Sequence, residues 1–292
     1  MAVTTAMIKE LRERTGLGML ECKGALAETY GDIEAAIESL RKKSSLKAAK
    51  KAGRTTADGL LGLKVAADGS RAALVEINIE TDFAAKNEKF KAFVEKMANA
   101  AYDIGESDPL DALNQQFNAE RETLVQEIGE NIAIRRAVVF APKDGGYVAH
   151  YLHGDQRKAS LVEMTKSNVE LGKDLAMHVT AMNPMVVRGE DIAADVVAKE
   201  REIYTAQAAE SGKPADIVAK MVEGRVRKFL AESSLLEQPF VKDPNQKVGQ
   251  LCKQAGLECR RLVRFEVGEG IEKVEMDFAA EVAAQVKSSQ GG

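Results

Sequence analysis

The residues with the clearest capacity for chemistry stand in one run, Glu76-Ile-Asn-Ile-Glu-Thr-Asp-Phe-Ala-Ala-Lys-Asn87. Ala72, Ala73, Leu74, Val75 and Ile77 read as a largely buried strand. Thr81 or Asp82 then supplies a helix N-cap, Ala84 and Ala85 favour helix, and Phe90, Phe93, Val94 and Met97 continue one apolar helical face. Phe83 falls in the first turn of that helix. An acid followed by a large aromatic at a strand-to-helix junction suits a wedge with a charge beside it, aimed at a partner. The same spacing also suits an Asp82 cap and a Phe83 stapled to its own core.

Other candidate groups carry less. His150 and His153 form a His-x-x-His pair, but Asp155 is the only further ligand type close by, and a metal site needs more. His153-Gly154 suits a surface turn that contacts a partner. His178, amid Leu175, Ala176, Met177 and Val179, reads as a helix residue near the core. Gly16-Leu-Gly18 lacks a third glycine, since Glu21 stands there, and no strand precedes it, so it reads as a helix–helix turn. No Gly-rich loop ends in Lys-Ser or Lys-Thr, and no Ser/His/Asp or Cys/His constellation follows from spacing. The sequence makes no case for an enzyme or for a cofactor.

Charge and hydropathy narrow the classes further. The net charge of −4 and pI of about 5.7 leave no global basic field to recruit nucleic acid. Arg41, Lys42, Lys43, Lys47, Lys50, Lys51 and Arg54 form a local basic stretch without interleaved aromatics. It reads as a solvated helical linker, with no direct nucleic-acid role expected. No apolar run reaches membrane-spanning length and no signal core opens the chain, so a cytoplasmic protein without a membrane partner is expected. The three cysteines, Cys22, Cys252 and Cys259, are odd in number and scattered, which suits reduced thiols.

The elements that must position these groups fall into an α+β organisation. Residues 1–54 form an N-terminal three-helix bundle followed by the basic linker. Thr4 or Thr5 caps the first helix, Tyr30-Gly31 ends the second, and Asp32 caps the third. Residues 55–185 carry an internal echo: Ala72-Ala-Leu-Val-Glu-Ile77 recurs as Ala159-Ser-Leu-Val-Glu-Met164. Each copy is preceded by a hairpin partner (59–66 and 146–152) and followed by a helix (88–101 and 169–181). The echo predicts two related α+β subdomains with small antiparallel sheets, at 55–140 and at 141–188 with 236–270. A helix over about 115–136 joins the copies. Residues 189–235 form a protruding helical hairpin whose wide apolar stripes call for a further surface, with Glu190 or Asp191 opening its first helix and Pro214 its second. Val248, Leu251 and Cys252 mark a helix, 262–267 a strand, and Gly268-Glu-Gly270 a turn. A C-terminal helix near 277–286 lies in a final module at 271–292, with a disordered end from Ser288. The second copy reads Thr165-Lys-Ser-Asn-Val-Glu after its strand, without Asp-Phe. The acid–aromatic pair is therefore not demanded by the repeated architecture.

Several motifs together resemble the bacterial elongation factor Ts family, whose members exchange nucleotide on elongation factor Tu. They are Lys9-Glu-Leu-Arg-Glu-Arg-Thr-Gly-Leu-Gly-Met-Leu-Glu-Cys-Lys23, Glu80-Thr-Asp-Phe-Ala-Ala-Lys-Asn87, Gly129-Glu-Asn-Ile-Ala-Ile-Arg-Arg136, Ala176-Met-His-Val179, Gln238-Pro-Phe240 and Arg264-Phe-Glu-Val-Gly-Glu-Gly270. The likeness is collinear over nearly the full length. It implies a ubiquitin-associated-like bundle, a two-part core, a hairpin dimerisation module that allows a homodimer, and a C-terminal module. It implies that Thr81, Asp82, Phe83 and Ala84 form the region that displaces the partner's magnesium, with Phe83 as the wedge. Arg12, Met19 and Leu20 would contact a helix of the partner's GTPase domain, and His153 its third domain. The family usually has Met where Leu20 stands, and often Val and Asp where Ala84 and Asn87 stand; Asp82 and Phe83 match. Competing classes are a helical adaptor or chaperone, an RNA-binding protein using residues 41–54, and an enzyme. Only the first uses the bundle and the hairpin, and it leaves Asp82-Phe83 incidental.

Overall fold

The structure, a computed structural model, describes residues 3–210 and 214–272. Thr4 caps α1 (Thr5–Thr15), whose end is turned by Gly16 in a left-handed conformation at φ 72°. The chain enters α2 (Met19–Glu28) and then α3 (Ile33–Lys51), which Asp32 caps through the Ala35 N–H. Leu11, Leu17, Cys22, Leu26, Ala36 and Leu40 are buried where the three helices meet. The basic stretch as far as Lys51 is thus the second half of a helix, with Arg54 just beyond its end. Lys43 pairs with Glu28 at 2.6 Å, Lys47 with Glu21 at 2.8 Å, and Lys51 donates to the Gly129 carbonyl.

Two three-stranded antiparallel sheets form the centre. The first has the order β1 (Asp58–Val65), β2 (Ala72–Ile79), β3 (Ile132–Phe140); the second β4 (Tyr147–Leu152), β5 (Lys158–Met164), β8 (Cys259–Glu266). They face each other through Leu61, Leu74 and Phe140 on one side and Val148, Leu161 and Phe265 on the other. Helices α5 (Glu88–Ile104) and α6 (Pro109–Ile128) cover the outer face of the first sheet, and α7 (Val169–Met182) with α10 (Val248–Gln254) the outer face of the second. Strand β2 is buried at every position. That explains its unbroken apolar reading, because a strand covered on both faces loses the alternation of a half-exposed one.

The echo in sequence is an echo in structure, down to its polar centre. Glu76 on β2 is fully buried and accepts from Arg135 at 2.9 Å, from Arg136, and from the Gly268 N–H at 2.9 Å. Glu163 on β5 is buried and faces Arg260 at 3.8 Å and Arg261 at 2.5 Å. Each ladder slips by one residue at its glutamate, so Arg135 and Arg260 are the extra residues of two bulges. The guanidinium of Arg136 lies 4.3 Å from the Phe265 ring of the opposite sheet, and that of Arg261 lies 4.0 Å from the Phe140 ring. Two buried carboxylates paired in this way cross-link the sandwich with matched polar contacts, which offsets their desolvation.

Three expectations are corrected. The helix expected over 115–136 stops at Ile128, where Gly129 adopts φ 88°, and Arg136 lies in β3, the third strand of the first sheet. The helix expected to run on from Asp82 is divided: α4 (Asp82–Ala85) ends at Lys86, and Asn87 caps α5 anew. The first hairpin helix, α8 (Ala194–Ala209), opens after a short 3-10 turn at Gly189–Asp191 rather than at 190 or 191. It packs on α9 (Ala215–Ser233), which follows Pro214, through Ala208, Val222 and Val226. A small ribbon, β6 (Pro239–Phe240) and β7 (Asp243–Lys247), returns the chain to α10. All three cysteines are free and buried, with the Sγ atoms of Cys252 and Cys259 3.8 Å apart. The expected helix near 277–286, most of the module at 271–292 and the end from Ser288 lie outside the described residues.

Candidate functional site

Beyond β2 the chain leaves the sheet as a small raised tip. Thr81, not Asp82, is the cap of α4: its Oγ1 accepts from the Ala84 N–H at 3.2 Å. Phe83 is 80% exposed, so it is not stapled to its own core. Ala85 is buried and Ala84 half-buried against the first sheet's core, which leaves Asp82 and Phe83 outward. Lys86 serves both: its Nζ is 2.9 Å from Asp82 Oδ2 and 5.1 Å from the centre of the Phe83 ring. The hydrogen bond from Lys86 holds the Asp82 carboxyl below its ordinary value, so Asp82 is ionised at neutral pH and paired with the Lys86 ammonium. An exposed phenyl ring beside a fixed carboxylate has the shape and charge to enter a cleft on a partner.

The base of the tip is closed by crossed carboxylates. Glu130 accepts from the Thr81 N–H at 2.9 Å and the Thr81 hydroxyl at 2.8 Å. Glu80 in turn accepts from the Asn131 N–H at 2.6 Å and pairs with Arg54 at 3.5 Å. The Asn131 amide donates to the carbonyls of Ala52 and Arg54, where the N-terminal module joins the core. Sequence reasoning quoted Lys86, Glu130 and Asn131 within motifs but gave them no role. Glu–Asn after a helix-ending glycine was the available signal.

The remaining predicted contact residues are all exposed. Arg12 lies in the last turn of α1, and Met19 and Leu20 open α2, Leu20 being 83% exposed. The α1–α2 turn is held beside the start of α5, since Lys89 donates to the Gly16 carbonyl at 3.1 Å. His153 sits in the β4–β5 turn, 3.1 Å from Asp155. That turn is fixed to the same end of the first sheet: Arg157 pairs with Asp58 at 2.8 Å, and Asp58 is opposite Ile79, two residues before Thr81. The bundle turn, the tip and the His153 turn are therefore tethered around one end of β2.

Among the described residues no three His, Cys, Asp or Glu side chains converge for an ion. His150 is half-buried, and burial lowers its imidazole pKa. His178 is fully buried, with Nε2 2.8 Å from Gln238 Oε1 and Nδ1 accepting from the Val241 N–H. Its position near the core is as expected. No helix among the described residues is long and apolar enough to cross a membrane.

Comparison with known proteins identifies the group to which this architecture belongs. A family model described as Elongation factor TS matches residues 80–269, which begins at the base of the tip. The chain is 56% identical over 286 residues to the elongation factor Ts of Hahella chejuensis, covering 98% of this chain and 99% of that one. It is 56% identical over 290 residues to that of Saccharophagus degradans (99% and 100%), and 50% identical over 295 residues to that of Methylococcus capsulatus (99% and 100%). The chain belongs to the elongation factor Ts family. As a member of that family it is a translation elongation factor. The mixed helices and small antiparallel sheets are those of an elongation factor Ts fold.

Proposed function

We propose that the chain acts in the cytoplasm as a guanine nucleotide exchange factor. It binds elongation factor Tu and promotes GDP release, without catalytic chemistry or a cofactor of its own. The observation that carries this reading is the exposed Phe83 beside the ionised Asp82, two side chains that the fold does not use for its own core. In a nucleotide-bound GTPase, magnesium bridges phosphate oxygens and protein ligands and neutralises their charge. A ring driven between the elements that support this ion shifts them from one packed arrangement to another, because packed interiors switch discretely rather than deform. Phe83 is assigned that displacement. Asp82 brings negative charge toward a phosphate-binding region, and Thr81 and Ala84 shape the tip. Arg12, Met19, Leu20 and His153 supply affinity and orientation from the flanking modules.

Exchange also imposes a thermodynamic condition. The factor binds the empty GTPase more tightly than the GDP form, and by linkage GDP weakens the complex by the same ratio. The core at 55–140 and at 141–188 with 236–270 presents the tip. The bundle at 1–54 and the hairpin at 189–235 extend the contact surface, the hairpin also serving a second copy. The deciding measurement is release of a fluorescent GDP from elongation factor Tu, with native chain and with Phe83→Ala. The native chain accelerates release and Phe83→Ala loses most of that acceleration; full acceleration by the variant would sink the wedge assignment.

A further inference from the structure

We infer that Glu130 is a positioning residue that sets the working pose of the Asp82–Phe83 tip. This inference rests on the exchange reading of that tip. The four-residue α4 is far too short to be stable as an isolated helix. Its outer side touches only the exposed Lys86 and is not packed on the core, since Asp82 and Phe83 are exposed. What holds it are Ala85 underneath, Asn87 at the far end, and Thr81 at the near end. Thr81 is held in turn by both oxygens of Glu130, one on the backbone N–H and one on the hydroxyl. The hydroxyl hydrogen is committed to Glu130, so the Thr81 oxygen lone pair faces the Ala84 N–H as a cap. Loss of that carboxylate frees the hydroxyl to rotate and unhooks the backbone where the chain turns out of the sheet.

The second half of the molecule provides an internal control. There the chain leaving β5 is closed against the chain entering β8 by Thr165 and Glu258: the Thr165 N–H donates to the Glu258 carbonyl at 2.9 Å, and the Glu258 N–H to Thr165 Oγ1 at 3.0 Å. No carboxylate side chain is used, and α7 begins after the four residues 165–168. Closing such a sheet therefore does not require an acid. In the first half the corresponding closure passes through the side chains of Glu80 and Glu130, at the one exit that carries a tip. The carboxylate of Glu130 reaches past the ladder to the residue that caps α4. Its service is to the tip rather than to the sheet.

The test uses the full chain and elongation factor Tu loaded with fluorescent GDP, varying factor concentration to separate the maximal release rate from the half-saturating concentration. Glu130→Gln retains size but cannot accept both donors. Its maximal rate falls about tenfold or more while half-saturation moves less than about threefold, because a small displacement of a positioned group costs rate ahead of binding. Thr81→Val reproduces the loss, and Thr81→Ser, which keeps the hydroxyl, restores the rate to within about threefold of native. In a Phe83→Ala background, Glu130→Gln has no further effect, since a positioner of an absent ring has nothing to position. Independent, multiplying losses in that double variant would overturn the inference. So would a native maximal rate for Glu130→Gln, or a loss confined to half-saturation. A Phe83→Ala chain that releases GDP at the native rate would instead overturn the wedge reading itself, a separate result.

Discussion

Between β2 and α5 the first half of the core inserts residues 80–87, whereas the second half crosses from β5 to α7 through residues 165–168. Up to that point the halves are close copies. Each has a central strand carrying a buried glutamate, a one-residue bulge beside it, a pair of arginines on the third strand and a helix on the outer face. After it, one exit rises into an exposed aromatic and the other goes straight into a helix. The shared parts are those that a two-layer sandwich needs in order to bury its sheets. The unshared part buries little beyond Ala85. Duplication thus separates what this fold requires from what one copy adds to it.

The largest effect is expected from replacing residues 80–87 with the four-residue exit of 165–168. The chain is expected to keep its fold by circular dichroism while acceleration of GDP release falls about a hundredfold or more. Retained acceleration would mean that the tip is not the working part. A second measurement probes the shared centre by denaturant unfolding of Glu76→Ala and Glu163→Ala. Each removes charge-assisted hydrogen bonds from arginines that are themselves partly exposed, and each is expected to cost about 2 kcal/mol. A difference between them larger than the native spread of such contacts would show that the polar centres are not equivalent.

Next in size is a pH effect peculiar to the second half. His178 is neutral, its Nδ1 taken by the Val241 N–H, and burial lowers its pKa below the ordinary value of 6.5, against a smaller raising influence from Gln238. The unfolded chain therefore binds the proton more readily than the folded one. The stability from this group is full above 6.5 and is lost as pH falls from there through the lower folded value. His178→Gln is expected to flatten the acid limb of a stability–pH curve, leaving the slope due to His150, which is lowered in the same direction. The smallest effect belongs to Lys86→Met. Its pair with Asp82 is exposed, so stability scarcely changes. The Asp82 carboxyl, followed by NMR titration, moves up toward its ordinary value of 3.8. An unmoved titration would show that Lys86 does not hold the tip's charge.

The paired strands, the bundle and the hairpin were legible because their signals are local: apolar runs, caps at Thr4 and Asp32, and Pro214 before the second hairpin helix. Strand β3 was misread as helix for a physical reason. The bulge at Glu76 places consecutive Arg135 and Arg136 on the same carboxylate, which breaks the period of two that marks a strand. The tip was legible in its residue types, but whether Phe83 packs inward or outward is decided by the break at Lys86–Asn87, where a second cap resets the helix direction. Glu130 was not legible as a contact of Thr81 at all. It stands 49 residues away, and a long-range side-chain bond leaves no periodic trace.

The pairing of β5 with β8 has a consequence for how the chain is made. The first sheet closes when Phe140 emerges, once residues 80–131 have followed β2. The second must wait for residues 259–266, after the whole helical hairpin has been synthesised. Until then β5 has an open edge of unpaired N–H and carbonyl groups, and such edges invite pairing with other chains. The long loop between the strands also makes this closure the slow one. A nascent chain therefore carries a finished N-terminal half, tip included, beside an unfinished C-terminal one. Truncation or stalling inside the hairpin is where this protein is most exposed to aggregation.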